Sequence, residues 1–188
     1  MRFFKEALFA PHTTGAIAPS SRHLARVIVE KAAVDNASRI LEIGPGTGAF
    51  THHILARKKD DAHFVALERN PNFAADLREK FPDARIVQGC ATELPAHALE
   101  HEFHEADSIV SGLPWTIFDP TLQRTILGGI RDVLGPGGTF ATFAYFGPHW
   151  LPGGRNFREL LRGVFPDTRM SQVVIRNFPP AFVYYCRK

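Results

Sequence analysis

The chain is poor in cysteine, with two in 188 residues, Cys90 and Cys186. They form neither a Cys-x-x-Cys pair nor a zinc-ligand spacing, which excludes a disulfide scaffold and predicts free thiols. No apolar run approaches the ~20 residues of a membrane-spanning helix. The stretch from Met1 to Pro11 has no uninterrupted apolar core and no small-residue cleavage site, so a secretory signal is not expected. Repeats and low-complexity linkers are lacking, and the 15 Gly and 14 Pro are scattered as turn residues. No one sign of charge dominates: 22 Lys+Arg stand against 19 Asp+Glu, a net charge of +3. That small basic excess permits an anionic partner, nucleic acid or lipid surface, but a solvated surface explains it equally well.

What is present suits one domain spanning 1–188, with 45% hydrophobic residues to cover both faces of a parallel sheet. Strand and helix patterns alternate, which predicts an α/β fold of the doubly wound, Rossmann-like kind. Strands are expected at 39–43, 63–67, 85–88, 106–110 and 139–145, and a terminal antiparallel hairpin at 171–176 and 182–186. Helices are expected at 20–33, 49–57, 71–80, 121–134 and 155–164. Asn70-Pro71 supplies an N-cap and a first-turn proline, and Gly135-Pro136-Gly137-Gly138 is a strong breaker. At the start, Phe3, Phe4, Ala7 and Leu8 share one face of a short amphipathic helix that also carries Arg2 and Lys5.

The chemistry-bearing segment is Glu42-Ile43-Gly44-Pro45-Gly46-Thr47-Gly48, placed after a strand and before a helix. Glycines let the backbone turn tightly and approach a ligand, and the next helix begins with unpaired N–H groups. In a dinucleotide site these meet a pyrophosphate. The acid at Glu42 suits a cationic amino-acid moiety instead, which favours S-adenosylmethionine. Glu68 ends the second strand, 20 residues after Gly48, where a carboxylate accepts ribose hydroxyls. Cys90 and Ala91 follow the third strand and are expected along the adenine, where Cys90 reads equally well as a small buried hydrophobe.

Ser111-Gly112-Leu113-Pro114-Trp115 ends the fourth strand, at the sheet edge where such folds place ligands. The carbonyls of Gly112 and Leu113 are candidate acceptors for a nucleophilic amine, and Trp115 offers an aromatic face to a cation or a base. A packed Trp115 is the plainer alternative. Tyr145, His149 and Arg155 follow the fifth strand as further acceptor-side candidates. The pairs His52-His53 and His101/His104 are read as surface, without an acid-supported ligand set, so no metal is expected.

Four segments together resemble the soluble-type bacterial phospholipid N-methyltransferases: Thr14-Gly15-Ala16-Ile17-Ala18-Pro19-Ser20-Ser21, the Glu42–Gly48 loop, Ser111–Trp115, and Asn177-Phe178-Pro179-Pro180-Ala181-Phe182-Val183-Tyr184. The resemblance implies a seven-stranded methyltransferase sheet and methyl transfer from S-adenosylmethionine, leaving S-adenosylhomocysteine. The implied acceptor is the amine of phosphatidylethanolamine and its methylated derivatives, towards phosphatidylcholine. It implies that Gly15, Ser20 and Ser21 cover the methionine end of the cofactor and that 1–19 forms a membrane-facing segment. It also implies a cytoplasmic protein held peripherally at the inner face of the cell membrane, with an anionic lipid surface as partner.

The family is similar to the ribosomal RNA adenine dimethyltransferases, which have Asn-x-Pro-aromatic where this chain has Ser111-x-x-Pro114-Trp115, and which carry a further RNA-gripping domain. With Ser111 in place of Asn and the chain ending at Lys188, a nucleic-acid partner is not expected. Methylation of RNA adenine or of a soluble amine is the alternative. Oligomeric state is not legible.

Overall fold

The computed structural model describes residues 20–101 and 105–188. The N-terminal amphipathic segment and Gly15 lie outside the described residues. Seven strands form one sheet: β1 (Arg39–Ile43), β2 (His63–Glu68), β3 (Arg85–Gln88), β4 (Ala106–Ser111), β5 (Leu134–Tyr145), β6 (Thr168–Met170) and β7 (Ala181–Arg187). Their order is β3-β2-β1-β4-β5-β7-β6, with the first five parallel and β7 antiparallel to both neighbours. Among the described residues there are six α-helices, α1 (Arg22–Lys31), α2 (Ala49–Leu55), α3 (Pro71–Lys80), α4 (Leu94–Glu100), α5 (Pro120–Val133) and α6 (Pro152–Val164).

Each sheet face is covered by its own helices. Leu24, Ile28, Ile54 and Leu77 of α1–α3 pack with Ile40, Ala66 and Val183 on one face. Leu94, Ile126, Ile130, Phe157 and Leu161 of α4–α6 pack with Leu41, Ile109, Phe140 and Phe182 on the other. Burial on both faces explains why the central strands read as continuous apolar runs. The Asn70 cap forms as the sequence predicts, its Oδ1 accepting from Asn72 N at 2.9 Å, and Asp119 caps α5 in the same way, its Oδ1 accepting from Thr121 N at 2.9 Å.

Three expectations need correction. The sixth strand is Thr168–Met170, not 171–176. Ser171 Oγ accepts the Val183 N–H at 3.0 Å, taking a ladder bond with its side chain, and the chain rejoins β7 only at an isolated Val174–Ala181 bridge. The Gly135–Gly138 breaker ends α5 without delaying the strand. β5 starts at Leu134, paired with Ala106, and its register shifts before Ser108–Thr139. Finally, α4 was not anticipated. Its two turns bury only Leu94 and Ala98, too short an apolar period to read.

Candidate active site

Parallel strands β1 and β4 are neighbours, while β2 and β3 extend to one side and β5 to the other. Their carboxyl ends therefore bracket the point where strand order reverses, the place where such sheets hold ligands. Three glycines mark it. Gly44 N donates to Leu67 O at 2.9 Å, Gly112 N to Ile43 O at 2.9 Å, and Gly89 N to Glu68 O at 3.0 Å. Each leaves its own strand by bonding to the next, and a Cβ on Gly112 would lie 2.4 Å from Gly44 O. Only glycine lets these two turns touch.

Gly44, Gly46 and Gly48 all have positive φ, at 67°, 56° and 82°. A Cβ at Gly46 would meet nothing within 4 Å, so the loop crest faces open space. Gly48 caps α2 and packs beneath Phe81 and Leu77.

Two carboxylates stand behind the loop. Glu68, largely buried, accepts from Gly46 N at 3.0 Å through Oε2 and from Asn70 N at 2.8 Å through Oε1. Glu42 is fully buried, and its Oε2 accepts from Thr51 Oγ1 at 2.7 Å. Its Oε1 has no partner among the described residues. Burial, aided by the nearby Glu68 charge, pushes the Glu42 carboxyl up to about 8, against the opposing Thr51 bond. A buried acid with a spare oxygen is poised for a cationic group. Glycines with open space, a ribose-competent acid and this orphan oxygen fit S-adenosylmethionine, whose ammonium and sulfonium are both cationic.

Around this pair the other predicted residues separate. Ser21 caps α1, its Oγ accepting from Leu24 N at 3.2 Å, and its own N–H donates to Asn177 Oδ1 at 2.9 Å. Ser20 is half-buried beside it. Cys90 is half-buried, and its Sγ accepts from Thr92 Oγ1 at 3.1 Å. Ala91 opens a short helical turn, Ala91–Glu93. Ser111 is buried, and its Oγ accepts from Leu113 N at 3.2 Å.

The Leu113 carbonyl, expected to face the acceptor, already accepts Trp115 N at 3.0 Å. Trp115 is the larger amendment. Its ring is buried, stacked on Phe157 at 5.0 Å and edged by Phe140, and Nε1 donates to Thr142 Oγ1 at 2.9 Å. Thr142 Oγ1 in turn donates to Ser111 O at 3.1 Å. The indole is thus a strut under the 111–115 loop rather than an open aromatic face. Tyr145 packs edge-on to Phe143 with the α1–α3 core, the face opposite Trp115, and burial raises its phenol above the ordinary value. His149 is buried and accepts Gly147 N at 3.1 Å through Nδ1. Burial lowers its pKa, and Arg158 adds to this against a bond at Tyr145. Arg155 is exposed on α6.

Sequence reasoning missed Asn177 as a buried clamp, although the Asn-Phe-Pro-Pro run carried the signal. It also read His101 as plain surface. The structure brings ligand atoms of His97, Glu100 and His101 within 4.8 Å of one another, and Arg85 Nη2 lies 3.0 Å from His101 Nδ1. That guanidinium opposes a second cation.

The profile of the methyltransferase domain matches residues 40–138, the stretch from β1 through the start of β5. The chain belongs to the methyltransferase domain family. An ornithine lipid N-methyltransferase of Singulisphaera acidiphila is 33% identical over 189 residues, covering 99% of this chain and 92% of that protein. A ribosomal RNA small subunit methyltransferase A of Synechococcus sp. is 32% identical over 102 residues, covering 53% of this chain and 36% of that protein. Among solved structures, an O-methyltransferase from Bacillus cereus in complex with SAH superposes with TM-score 0.70 at 15% identity, covering 100% of this chain and 89% of that one. Aeropyrum pernix fibrillarin with natively bound S-adenosyl-L-methionine superposes with TM-score 0.66 at 15% identity, covering 87% and 76%. At that identity the likeness establishes the fold of the methyltransferase. Among the described residues no helix is long and apolar enough to cross a membrane.

Proposed function

We propose that this methyltransferase transfers methyl groups from S-adenosylmethionine to the amine of a membrane lipid, phosphatidylethanolamine and its methylated derivatives, at the inner face of the cell membrane. The observation that carries a lipid acceptor is the reach of the similarity. The lipid N-methyltransferase matches this chain along 99% of its length, and the RNA methyltransferase along 53%. Ornithine lipid, the substrate named for that relative, also presents a primary amine and is the second reading.

Bound S-adenosylmethionine supplies an electrophilic methyl group on a sulfonium. The residues of this chain bind and orient. Gly44, Gly46 and Gly48 let backbone approach the ligand, Glu68 holds the ribose hydroxyls, and Glu42 answers the cationic end. Cys90 and Ala91 line the adenine edge. Gly15, Ser20 and Ser21 cover the methionine end, with 1–19 facing the membrane. Ser111, Gly112 and Leu113 border the acceptor, Trp115 fixes their height, and Tyr145 walls the far side. The attacking amine must be neutral, and desolvation at the acceptor border favours that form, the ammonium proton passing to solvent. In-line displacement then needs alignment rather than a dedicated base, and positioning contributes roughly 7–11 kcal/mol.

The test is labelled-methyl transfer run in parallel on vesicles of phosphatidylethanolamine, vesicles of ornithine lipid, RNA, and soluble amines. Label is expected in the lipid extract. Label confined to RNA or to soluble amines would overturn the lipid reading.

A further inference from the structure

The carboxyl end of β5 and the amino end of β7 are paired, Tyr145 opposite Ala181. The loops beyond them lie side by side. Phe146 N donates to Pro180 O at 2.8 Å, and Val174 N donates to Ala181 O at 2.7 Å. Large apolar side chains stand out from both loops. Phe178 is 84% exposed and Ile175 80%, and Phe146, Trp150 and Leu151 are exposed beside them. The Phe146 and Trp150 rings meet edge to face at 4.9 Å. This rim belongs to the active-site end of the sheet: a Cβ on Gly153 would lie 3.3 Å from the Thr116 carbonyl, in the turn that follows the Ser111–Trp115 loop. Exposed aromatics on a protein otherwise well buried mark a surface that another phase or partner covers.

Its charge selects the occupant. Loops 146–151 and 173–180 carry no acid and one cation, Arg176, and Arg155 is exposed in the first turn of the helix that follows Leu151. Arg176 sits among the apolar tips. It also reaches the start of α1, where Arg22, Arg26 and Arg176 add to partial burial in lowering the pKa of His23. A second copy docked by a two-fold axis would set this patch against itself, arginine against arginine. Aromatic and aliphatic tips with Arg176 among them, and Arg22 and Arg26 close by, suit the boundary between acyl chains and anionic headgroups.

We infer that loops 146–151 and 173–180 form a docking surface that seats the enzyme on an anionic lipid bilayer, with its active-site end against the headgroups. This rests on the lipid reading above and adds where the membrane is met. The surface adjoins the Asn177–Ser21 bond, which joins it to the start of α1.

The experiment measures cosedimentation with vesicles of phosphatidylglycerol and phosphatidylethanolamine, together with methyl transfer to phosphatidylethanolamine in those vesicles and in detergent micelles. The proteins are the wild type, Ile175→Ser/Phe178→Ser, and Phe146→Ser/Trp150→Ser. Each double variant is expected to lose vesicle binding by about tenfold or more, since each withdraws two large apolar side chains. Each should lose transfer to vesicle lipid in step, while keeping its melting temperature and its transfer to micellar lipid. Arg176→Glu should weaken binding most at low salt. Variants that bind vesicles as the wild type does would overturn the docking surface and leave the lipid reading standing. Variants that melt lower or change oligomeric state would assign the rim to the chain's own packing or to a second copy, and would also overturn it. A wild type that labels no lipid in either form would overturn the lipid reading itself, and vesicle binding would still judge the surface.

Discussion

The Gly46 N–H donates to Glu68 Oε2 at 3.0 Å, tying the crest of the glycine loop to the end of the adjacent strand. One carboxylate thereby shapes the loop, and each oxygen accepts a single backbone N–H and retains a lone pair, which suits the ribose role proposed for it. Glu68→Ala removes both roles. It should weaken S-adenosylmethionine binding by about 1.5–3 kcal/mol, the range for bonds to a charged group. Glu68→Gln should lose less, since one side-chain oxygen remains. Calorimetric titration of the two variants checks the order.

Two glycines at the same site should fail in different ways. Gly46→Ala places a Cβ in open space at φ +56°, so the free protein should fold with a strain of about 1–2 kcal/mol, while ligand affinity collapses. Gly112→Ala drives a Cβ to within 2.4 Å of Gly44 O, backbone against side chain, and should lower the melting temperature of the ligand-free protein sharply. Equal melting curves for the two variants would contradict this assignment of space.

Glu42 makes stability and binding depend on pH. Its folded pKa, about 8, lies above the ordinary 4.5, so the folded state holds a proton that the unfolded chain gives up. Its contribution is fully present below about pH 4.5, declines as pH rises towards 8, and levels off beyond. Glu42→Gln should flatten that decline in melts taken across this window. A cationic ligand beside Glu42 favours the ionised form, so binding near neutral pH should release close to one proton. Binding enthalpies compared in buffers of different ionisation heat would read it, and Glu42→Gln should abolish it.

Trp115 separates packing from positioning. Trp115→Ala vacates the stack on Phe157 and should cost about 3–5 kcal/mol. Trp115→Phe keeps a ring there and deletes only the bond to Thr142, a loss of about 1–2 kcal/mol that frees Thr142 and the Ser111 carbonyl to shift. Turnover should fall in Trp115→Phe with cofactor affinity unchanged. Full turnover in that variant would make the indole purely a core residue.

Much of this architecture is legible because local chemistry and tertiary role agree. Asn70-Pro71 caps its helix by its own short-range geometry, and 39–43 and 106–110 read as strands because both sheet faces are covered. The glycine loop and Glu68 were legible as strand ends for the same reason, the loop lying between β1 and α2 and Glu68 closing β2. Long-range partners were not. Nothing near Trp115 in sequence reports Phe157 or Thr142, so an aromatic after Pro114 reads as exposed when it is buried. The end of β6 before Ser171 depends on a hydroxyl meeting Val183 N, which alternation along 171–176 conceals.

Asn177 is the longest-range clamp of the site. It is buried, its Oδ1 accepts from Ser21 N across 156 residues at 2.9 Å, and its Nδ2 donates to Pro179 O at 2.7 Å. The side chain therefore fixes the entry to α1 against the loop that precedes β7. Asn177→Ala leaves the Ser21 N–H and the Pro179 carbonyl unpaired and should cost about 1–3 kcal/mol. If Ser20 and Ser21 contact the methionine end of the cofactor, the same change should weaken S-adenosylmethionine affinity beyond what the stability loss explains. Asn177→Asp keeps an oxygen for Ser21 and replaces the donor to Pro179 with a buried charge. It should hold cofactor affinity nearer to the wild type while melting lower. Affinity is read by calorimetry well below the melting transition, where every variant is folded. Affinity unchanged in Asn177→Ala, with only the melting temperature lowered, would confine this clamp to holding the fold and remove Ser20 and Ser21 from the cofactor site.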